Sequence, residues 1–287
     1  MVETRLIMNV FRNFALSALI LGLSAWSVSA QDFHFTWKRV LMDESRTGTR
    51  LSSRDDVKDA LGTVKGDVYY APNGKVFKGG SVSKVARLVL DAQPAMADVK
   101  VVVGHSTMEM RSYPPESALS DWFVDELMRA TAEKTGKHVD VGIANFGGVR
   151  VDMPKGDVLA DDIMSMFPFK NNVCYVELRG ADLRRIFEQM AATDFQIVGG
   201  VRCIAKDRKL VSALVDGKPL DDSKVYGVAT ISFLLDGGDG FSVAKNAVSV
   251  DILPEYIIDV MMPYVKKLTA EGKPIEYEVD GRVQILK

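Results

Sequence analysis

Three segments of the chain, residues 145–150, 167–171 and 233–241, combine side chains that could hold a planar ligand. Each follows a strand-like run and joins glycines or a proline to an aromatic ring, an amide, a guanidinium or a carboxylate. Glycine lets the backbone turn through positive φ and approach a ligand closely. Phenylalanine offers a flat face for stacking, whereas asparagine, arginine and aspartate offer directional hydrogen bonds. This combination is typical of a site for a planar heterocycle with a hydroxylated or charged tail.

The order of these segments carries a family resemblance. The chain reads N-x-G-G-V-R at 145–150, P-F-x-N at 168–171, a glycine pair at 199–200 and F-L-x-x-G-G-D-G-F at 233–241. Four blocks in this order resemble the C-terminal domain of 5′-nucleotidases, over about residues 101–243. The resemblance implies the fold of that domain and a part in binding the substrate.

The resemblance implies roles for the aromatic and acidic residues of these loops. Phe169 and Phe233 match the rings that clamp the nucleobase, and Asp239 matches the carboxylate that holds the ribose hydroxyls. A carboxylate can accept two hydroxyl donors at once, which suits a cis-diol. One alternative is that both rings are core residues. Another is that Asp239 lies in a solvated glycine turn or in a calcium loop, although the bidentate glutamate that ends such loops does not follow.

The remaining matched positions are polar residues and glycines. Asn145 and Arg150 match residues that reach the substrate at the mouth of the site. Arg150 is expected to grip a phosphate or to order the ribose, because its planar fork pairs with anions bidentately. A structural salt bridge is the alternative for this arginine. Asn171 and the pair Gly199-Gly200 match contacts to the base edge and from the backbone.

One position departs from the family pattern. Family members usually carry an arginine immediately before the glutamate that begins the long helix, where it contributes to the anion site. Here Pro115 precedes Glu116, and Arg111 lies four residues earlier. Pro114 and Pro115 restrict the local backbone and can direct Arg111 elsewhere. We therefore expect base and ribose binding more strongly than phosphate binding.

The N-terminus predicts export. Arg5 and Arg12 precede an apolar stretch over residues 14–26, and small residues at 28–30 form a cleavage site. We expect residues 1–30 to be a signal peptide and the mature protein to be periplasmic or secreted, without a membrane span. The alternative is an N-terminal membrane anchor. A formal net charge of −2 gives no electrostatic footprint for a nucleic-acid polymer or an anionic membrane.

Helical and strand-like patterns mix without regular βαβ alternation, which predicts an α+β fold with mixed sheets packed with helices. Residues 31–95 are interpreted as an N-terminal extension of unclear role, and residues 96–287 as the 5′-nucleotidase C-terminal-like domain. The expected elements are helices over 82–93, 116–135, 182–192 and 255–270, strands over 99–103, 139–144 and 225–231, hairpins at 66–76 and 209–220, and a strand pair over 275–286 that turns at 280–281.

The sequence offers few residues for metal or nucleophilic chemistry. Its three histidines are His34, His105 and His138, and no D-x-H, G-N-H-[DE] or G-H-x-H run is present. Two-domain 5′-nucleotidases hydrolyse phosphate esters at a dinuclear metal centre in a metallophosphoesterase domain, and such a centre needs clustered ligands. Cys174 and Cys203 are expected to be two buried free thiols, with a bridge between neighbouring strands as the alternative.

These observations predict a substrate-binding chain that is inactive alone. We expect no cofactor in this chain and a divalent metal only in a partner, a metallophosphoesterase made as a separate chain. Together the two are expected to dephosphorylate a nucleotide, while this chain holds the base and the ribose. The alternative is a non-catalytic nucleoside-binding or scaffold protein.

Overall fold

The computed structural model describes residues 44–286, so the predicted signal peptide lies outside the described residues. The chain from Thr47 onward forms one compact unit. A short 3₁₀ turn at Glu44–Arg46 belongs to a separate unit. Seven α-helices occur among the described residues: α1 (Val57–Leu61), α2 (Gly80–Ala92), α3 (Ala118–Thr135), α4 (Ala160–Met166), α5 (Gly180–Ala192), α6 (Ser232–Leu235) and α7 (Ile257–Ala270).

The strands form four sheets, so the predicted α+β class is confirmed. The sheet orders are β1-β2-β3, β4-β6, β11-β10-β9-β14 and β13-β7-β12-β5-β8. The strands are β1 (Thr63–Lys65), β2 (Val68–Tyr70), β3 (Val76–Lys78), β4 (Val102–Ser106), β5 (Val141–Ala144), β6 (Gly156–Leu159), β7 (Asn172–Arg179), β8 (Ile197–Gly199), β9 (Val201–Lys206), β10 (Lys209–Val215), β11 (Lys218–Pro219), β12 (Val225–Ile231), β13 (Ser249–Tyr256) and β14 (Val283–Leu286).

The five-stranded sheet is the core of the unit. Its middle strands β12 and β5 are parallel, whereas β7, β8 and β13 run antiparallel to their neighbours. All four residues of β5 and six of the seven residues of β12 are buried. Strands that are covered on both faces consist of nearly continuous apolar residues, as these do. Helix α3 covers one face so closely that a Cβ on Gly142 would lie 2.6 Å from Val124.

Helix α3 ends at the predicted residue and begins two residues after the predicted start. Ser117 caps its first turn through a reciprocal pair of hydrogen bonds with Ser120. Gly136 ends it in the left-handed conformation, at φ 67°. Between these ends the apolar face is buried, including Trp122 and Phe123. The predicted helices over 82–93, 182–192 and 255–270, the strands over 139–144 and 225–231 and both hairpins are likewise confirmed within one or two residues.

The predicted strand pair over 275–286 is wrong, and the predicted strand over 99–103 lies at Val102–Ser106 instead. Of the segment 275–286, Val283–Leu286 forms a strand, and that strand pairs in parallel with β9 rather than folding back on residues 275–279. A side chain prevents the hairpin, because the carboxylate of Glu116 accepts the backbone N–H of Gly281 at 2.8 Å and of Val283 at 2.9 Å.

The predicted N-terminal extension contains α1, the three-stranded sheet and α2 within the described residues. Its boundary at residue 96 stays a prediction. Cys174 and Cys203 are buried free thiols, as expected, and they lie in different sheets. Burial raises the pKa of each thiol from 9.0 to about 12, so both are inert at neutral pH.

A buried ionic network attaches the C-terminal segment to α3. The guanidinium of Arg282 binds both carboxylate oxygens of Asp125, at 2.8 and 3.1 Å. Its Nε lies 3.5 Å from the carboxylate of Asp121, which is only 1% exposed. Burial raises the pKa of Asp121 from 3.8 to about 8. The positive charge of Arg282 acts to lower this pKa, and the nearby carboxylate of Glu116 acts to raise it. The Asp121 carboxyl therefore keeps its proton to higher pH in the folded chain than in the unfolded chain.

This protonation predicts a pH-dependent effect of Asp121→Asn. An aspartate that keeps its proton when folded stabilises the fold below the unfolded pKa, and that stability is lost as pH rises from about 4 to about 8. Asparagine mimics the protonated acid, so the melting temperature of the variant relative to the wild type should increase across that range. Melting curves at several pH values measure this difference. A pH-independent difference for Asp121→Asn would contradict the assignment.

Candidate functional site

The topology of the five-stranded sheet brings three loops to one edge. Strands β5 and β12 are parallel neighbours, so the loops that follow Ala144 and Ile231 leave the sheet at the same edge. Strand β7 runs antiparallel to β12, with Val173 opposite Ile231, so the loop that precedes β7 meets them there. A hydrogen bond of 3.0 Å from the Asn172 N–H to the Ser232 hydroxyl joins two of these loops.

Asn145 and Asp239 are in direct contact at this edge. The side-chain amide of Asn145 donates to Oδ2 of Asp239 at 2.7 Å. Asn145 is buried, and its Oδ1 has no hydrogen-bond partner within the described part of the chain. Asp239 is exposed, so its second oxygen faces solvent with free lone pairs. The asparagine therefore orients the carboxylate and leaves it able to accept from a ligand.

Two glycines pack around the asparagine. The 3₁₀ turn at Phe146–Gly148 closes with a hydrogen bond of 3.1 Å from the Val149 N–H to the Phe146 carbonyl. A Cβ on Gly148 would lie 2.7 Å from Oδ1 of Asn145, whereas one on Gly147 would have ordinary contacts at 3.4 Å and beyond. The turn can fold over the asparagine only because position 148 has no side chain.

The loop that carries Asp239 has a backbone that needs glycine. Gly237 and Gly240 have φ of 90° and 80°, and Asp239 itself is left-handed at φ 49°. The loop closes through a hydrogen bond of 2.8 Å from the Gly237 N–H to the Phe241 carbonyl. These conformations place the aspartate in a tight loop that a backbone hydrogen bond closes.

Phe169 and Phe233 are 46% and 44% exposed, so neither ring is a core residue. Other phenylalanines of the same loops behave differently, since Phe167 and Phe241 are buried. The carbonyl and the ring of Phe233 pack against Gly238. A Cβ on Gly238 would lie 2.1 Å from the carbonyl oxygen of Phe233. Two half-exposed rings therefore border the same edge of the sheet as the contact between Asn145 and Asp239.

Arg150 lies beside one of these rings. Its guanidinium carbon is 5.9 Å from the ring centroid of Phe169, and its Nη1 donates to the Gly147 carbonyl at 3.4 Å. Arg150 forms no ion pair with any residue that the structure describes, which disfavours the salt-bridge alternative. An exposed cation over a half-exposed ring is a suitable partner for an anion or for a stacked heterocycle.

The remaining predicted site residues are Asn171, Gly199 and Gly200. The backbone carbonyl of Asn171 accepts the N–H of Ile257 at 3.1 Å, which fixes the loop before β7. Gly199 pairs with Gly142 near the start of β5, so Gly199 and Gly200 lie toward the opposite edge from Asn145. Close packing accounts for both glycines, since a Cβ on Gly200 would lie 2.2 Å from the Asp140 carbonyl.

Two glutamines that the sequence did not single out support the loops. Gln196 accepts the Phe146 N–H at 3.2 Å, and Gln189 of α5 donates to the Gly240 carbonyl at 2.8 Å. Neither belongs to a motif. Pairing of β8 with β5 places Ile197 opposite Ala144, so the preceding residue, Gln196, lies beside the loop that follows β5. A prediction of this strand pairing would therefore have identified Gln196.

Arg111 forms an ion pair with a neighbouring side chain. Its Nε donates to Glu109 at 2.7 Å on the surface. The next residue, Ser112, donates its N–H to Asp152 at 3.1 Å, so this segment runs beside the chain that follows Arg150. Family members usually carry an arginine at the position of Pro115. Arg111, the nearest arginine in sequence, is already paired with the carboxylate of Glu109.

The residues described do not fit a dinuclear metal centre. One group of three acidic residues has carboxylate oxygens within 4.8 Å of one another, namely Glu116, Asp121 and Asp280. Backbone N–H groups occupy the oxygens of Glu116, Arg282 binds Asp280 and lies 3.5 Å from Asp121, and the group contains no histidine. The exposed His105 and His138 pair separately, with Asp157 at 3.3 Å and Asp140 at 3.6 Å.

Known proteins share this sequence and this fold. The family described as 5′-nucleotidase, C-terminal domain, matches residues 84–246. An apyrase of Tabanus yao is 24% identical over 67% of the chain and 38% of its own length. The cell wall protein Lmo0130 of Listeria monocytogenes is 26% identical over 79% of the chain and 33% of its own length.

A solved structure has the same fold. The 5′-nucleotidase precursor of Thermus thermophilus superposes with a TM-score of 0.62 at 24% identity, over 77% of this chain and 49% of that one. The chain thus spans less than half the length of each of these relatives. Among residues 44–286, no helix combines the length and the apolar character that a membrane crossing requires.

The packing around Asn145 predicts unequal effects of two neighbouring substitutions. Gly148→Ala forces the Asn145 side chain away from Asp239 and should lower the free energy of unfolding by about 1–3 kcal/mol, as overpacking does. Gly147→Ala meets no close contact and should remain within about 1 kcal/mol of the wild type. Urea unfolding of the three proteins measures both values. Equal effects of the two substitutions would contradict the described packing.

Proposed function

This chain belongs to the 5′-nucleotidase family as a C-terminal domain, which gives it a nucleotidase-related role, and we propose that it binds the base and ribose of a nucleoside or nucleotide. The observation that carries the proposal is that the loops carrying Phe169, Phe233 and Asp239 leave the five-stranded sheet at the same edge. Stacking of a base on an aromatic ring contributes about 1–3 kcal/mol and tolerates different bases. The aspartate adds directional acceptors for ribose hydroxyls.

Each residue at this edge has a distinct part in binding. The two rings hold the flat base, and Asn145 fixes the carboxylate of Asp239 so that its free oxygen faces the ribose. Arg150, which is exposed beside Phe169, is positioned for the charged tail of a nucleotide. Stacking on aromatic rings discriminates weakly among bases, so these contacts favour nucleosides as a class over any one base.

We assign the hydrolytic step to a partner. The described residues lack the donor set of a dinuclear centre, and a metallophosphoesterase on a separate chain is the proposed source of it. Bound divalent metals would activate water and stabilise the phosphoryl oxygens there. The residues of this chain would bind and orient the nucleoside portion, so that the complex dephosphorylates nucleotides.

The proposed location is the periplasm or the exterior of the cell. Support comes from the signal-like N-terminus, with Arg5 and Arg12 before an apolar stretch and a small-residue cleavage site. A relative that is named a cell wall protein supports the same location. Extracellular nucleotides would then be the natural substrates of the complex.

One observation favours a second candidate, a non-catalytic nucleoside-binding or scaffold protein. Pro115 stands at the position of the family arginine, and Arg111 is paired with Glu109. A site with a weakened anion subsite would prefer nucleosides to nucleotides. Release of phosphate from AMP in the presence of the exported metallophosphoesterase separates the two candidates, because the leading proposal requires partner-dependent turnover and the second candidate predicts ligand binding without it.

A thermal-shift titration with adenosine, AMP, UMP and glucose tests the proposed binding. A ligand at 100 times its dissociation constant adds about 2.7 kcal/mol to the stability of the folded state, which corresponds to a rise of a few degrees. We expect this shift for the nucleoside ligands and not for glucose. Phe233→Ala should abolish it, because one stacking face is lost.

The matched control is Tyr70→Ala, which removes an equally exposed aromatic ring from a different sheet. That variant should retain the full shift. A wild-type chain that responds to none of the nucleoside ligands, or a Phe233→Ala variant that responds as the wild type does, would contradict the proposed site.

A further inference from the structure

The loop that follows Asp239 is tied to helix α5 at two points. Near the start of the loop, the Gly240 carbonyl accepts a hydrogen bond of 2.8 Å from the Gln189 side chain. Near its end, the Asn246 side chain donates to the carboxylate of Asp182 at 3.0 Å. Between these two contacts lies a cavity of about 310 Å³ that both the loop and the helix line. We call it the α5 cavity.

Positive charge outweighs negative charge in the lining of the α5 cavity. The ionisable side chains of the lining are Arg185, Lys245 and Asp182. Arg185 is ion-paired with Asp182, one turn away on the same helix, and this pair neutralises the carboxylate. Lys245 forms no ion pair with any residue that the structure describes. One positive charge is therefore left over in the cavity, where it is available to a ligand.

The cavity also offers hydrogen-bond donors that the protein itself does not use. The hydroxyl of Ser242 lines it and makes no hydrogen bond within the described part of the chain. Arginine carries five N–H donors in a planar fork, so the exposed guanidinium of Arg185 can bind Asp182 with one edge and a ligand with another. The ammonium of Lys245 adds three further donors. A lining of donors with a surplus positive charge suits an anion that is rich in acceptor oxygens.

The size of the α5 cavity limits the ligand to a small ion or group. Sites that bind small molecules usually have volumes of about 300 to 1,000 Å³, and this cavity is at the lower limit. A phosphate group fits that space, and its oxygens can accept from Arg185, Lys245 and Ser242 together. A nucleobase would find no aromatic ring to stack on, because the one large apolar side chain among the lining residues is Ile186.

We propose that the α5 cavity binds a phosphate group, at a site separate from the one proposed for the base and the ribose. The inference stands independently of nucleoside binding, because Phe169, Phe233 and Asp239 do not line this cavity. The phosphate group has two sources, free inorganic phosphate, which is a product of the proposed reaction, and the charged tail of a nucleotide. Both sources present the same acceptor oxygens to the cavity, and they differ in whether a nucleoside is attached.

Isothermal calorimetry at constant ionic strength tests the assignment with inorganic phosphate, AMP and adenosine. We expect Lys245→Gln to weaken the binding of phosphate, or of AMP relative to adenosine, by about tenfold, because a charge-assisted hydrogen bond is lost. Ser242→Glu should abolish the same binding, because it adds a carboxylate to the cavity. The matched control Lys65→Gln removes an exposed lysine from β1 and should leave every affinity within about twofold of the wild type. Melting temperatures verify that all three variants fold.

The ligand that the variants lose identifies the source. Loss of phosphate binding assigns the cavity to the free ion, and loss of AMP affinity at unchanged adenosine affinity assigns it to the nucleotide tail. The assignment is overturned if Lys245→Gln and Ser242→Glu bind every ligand as the wild type does, or if Arg150→Gln abolishes phosphate binding and Lys245→Gln does not. It is also overturned if the wild type binds no phosphate and binds AMP no more tightly than adenosine. A wild type that binds phosphate but no nucleoside would contradict the proposed function and leave the cavity standing.

Discussion

The hydrogen bond between Asn145 and Asp239 joins two loops that lie 94 residues apart in the chain. It is the one side-chain hydrogen bond between the N-x-G-G-V-R and G-G-D-G-F segments within residues 44–286. The buried amide has no other acceptor, so loss of the carboxylate would leave a polar group unsatisfied at a cost of about 1–3 kcal/mol. Each loop therefore depends on the other for its conformation, and the glycines around them make the close approach sterically feasible.

The rest of the fold holds these loops at one place. Parallel pairing of β5 with β12 and antiparallel pairing of β12 with β7 deliver all three loops to one edge of the sheet. Helix α3 supports the sheet from one face and also receives the C-terminal segment through Glu116 and Arg282. The edge of the sheet that carries the candidate site is therefore separate from the ionic network of Arg282, Asp121 and Asp125. That network contributes to stability.

Local signals in the sequence were sufficient for most helices and for the hairpin at 209–220, because caps, turn glycines and periodicity act over a few residues. The failures involve contacts between distant residues. The carboxylate of Glu116 captures backbone N–H groups more than 160 positions away, which no local pattern around 275–286 reveals. The close packing of Gly199 and Gly200 against Asp140 and Met128 is a further contact between distant segments that no local pattern reveals.

The most direct test of the account compares the affinities of adenosine and 2′,3′-dideoxyadenosine. The wild type should prefer adenosine by about tenfold or more, because a charged acceptor contributes about 1.5–3 kcal/mol to a hydrogen bond. Asp239→Ala should remove this preference, whereas Asp236→Ala, which truncates an exposed carboxylate of the same loop, should keep it. Equal affinities of the wild type for the two ligands would contradict a ribose site at Asp239.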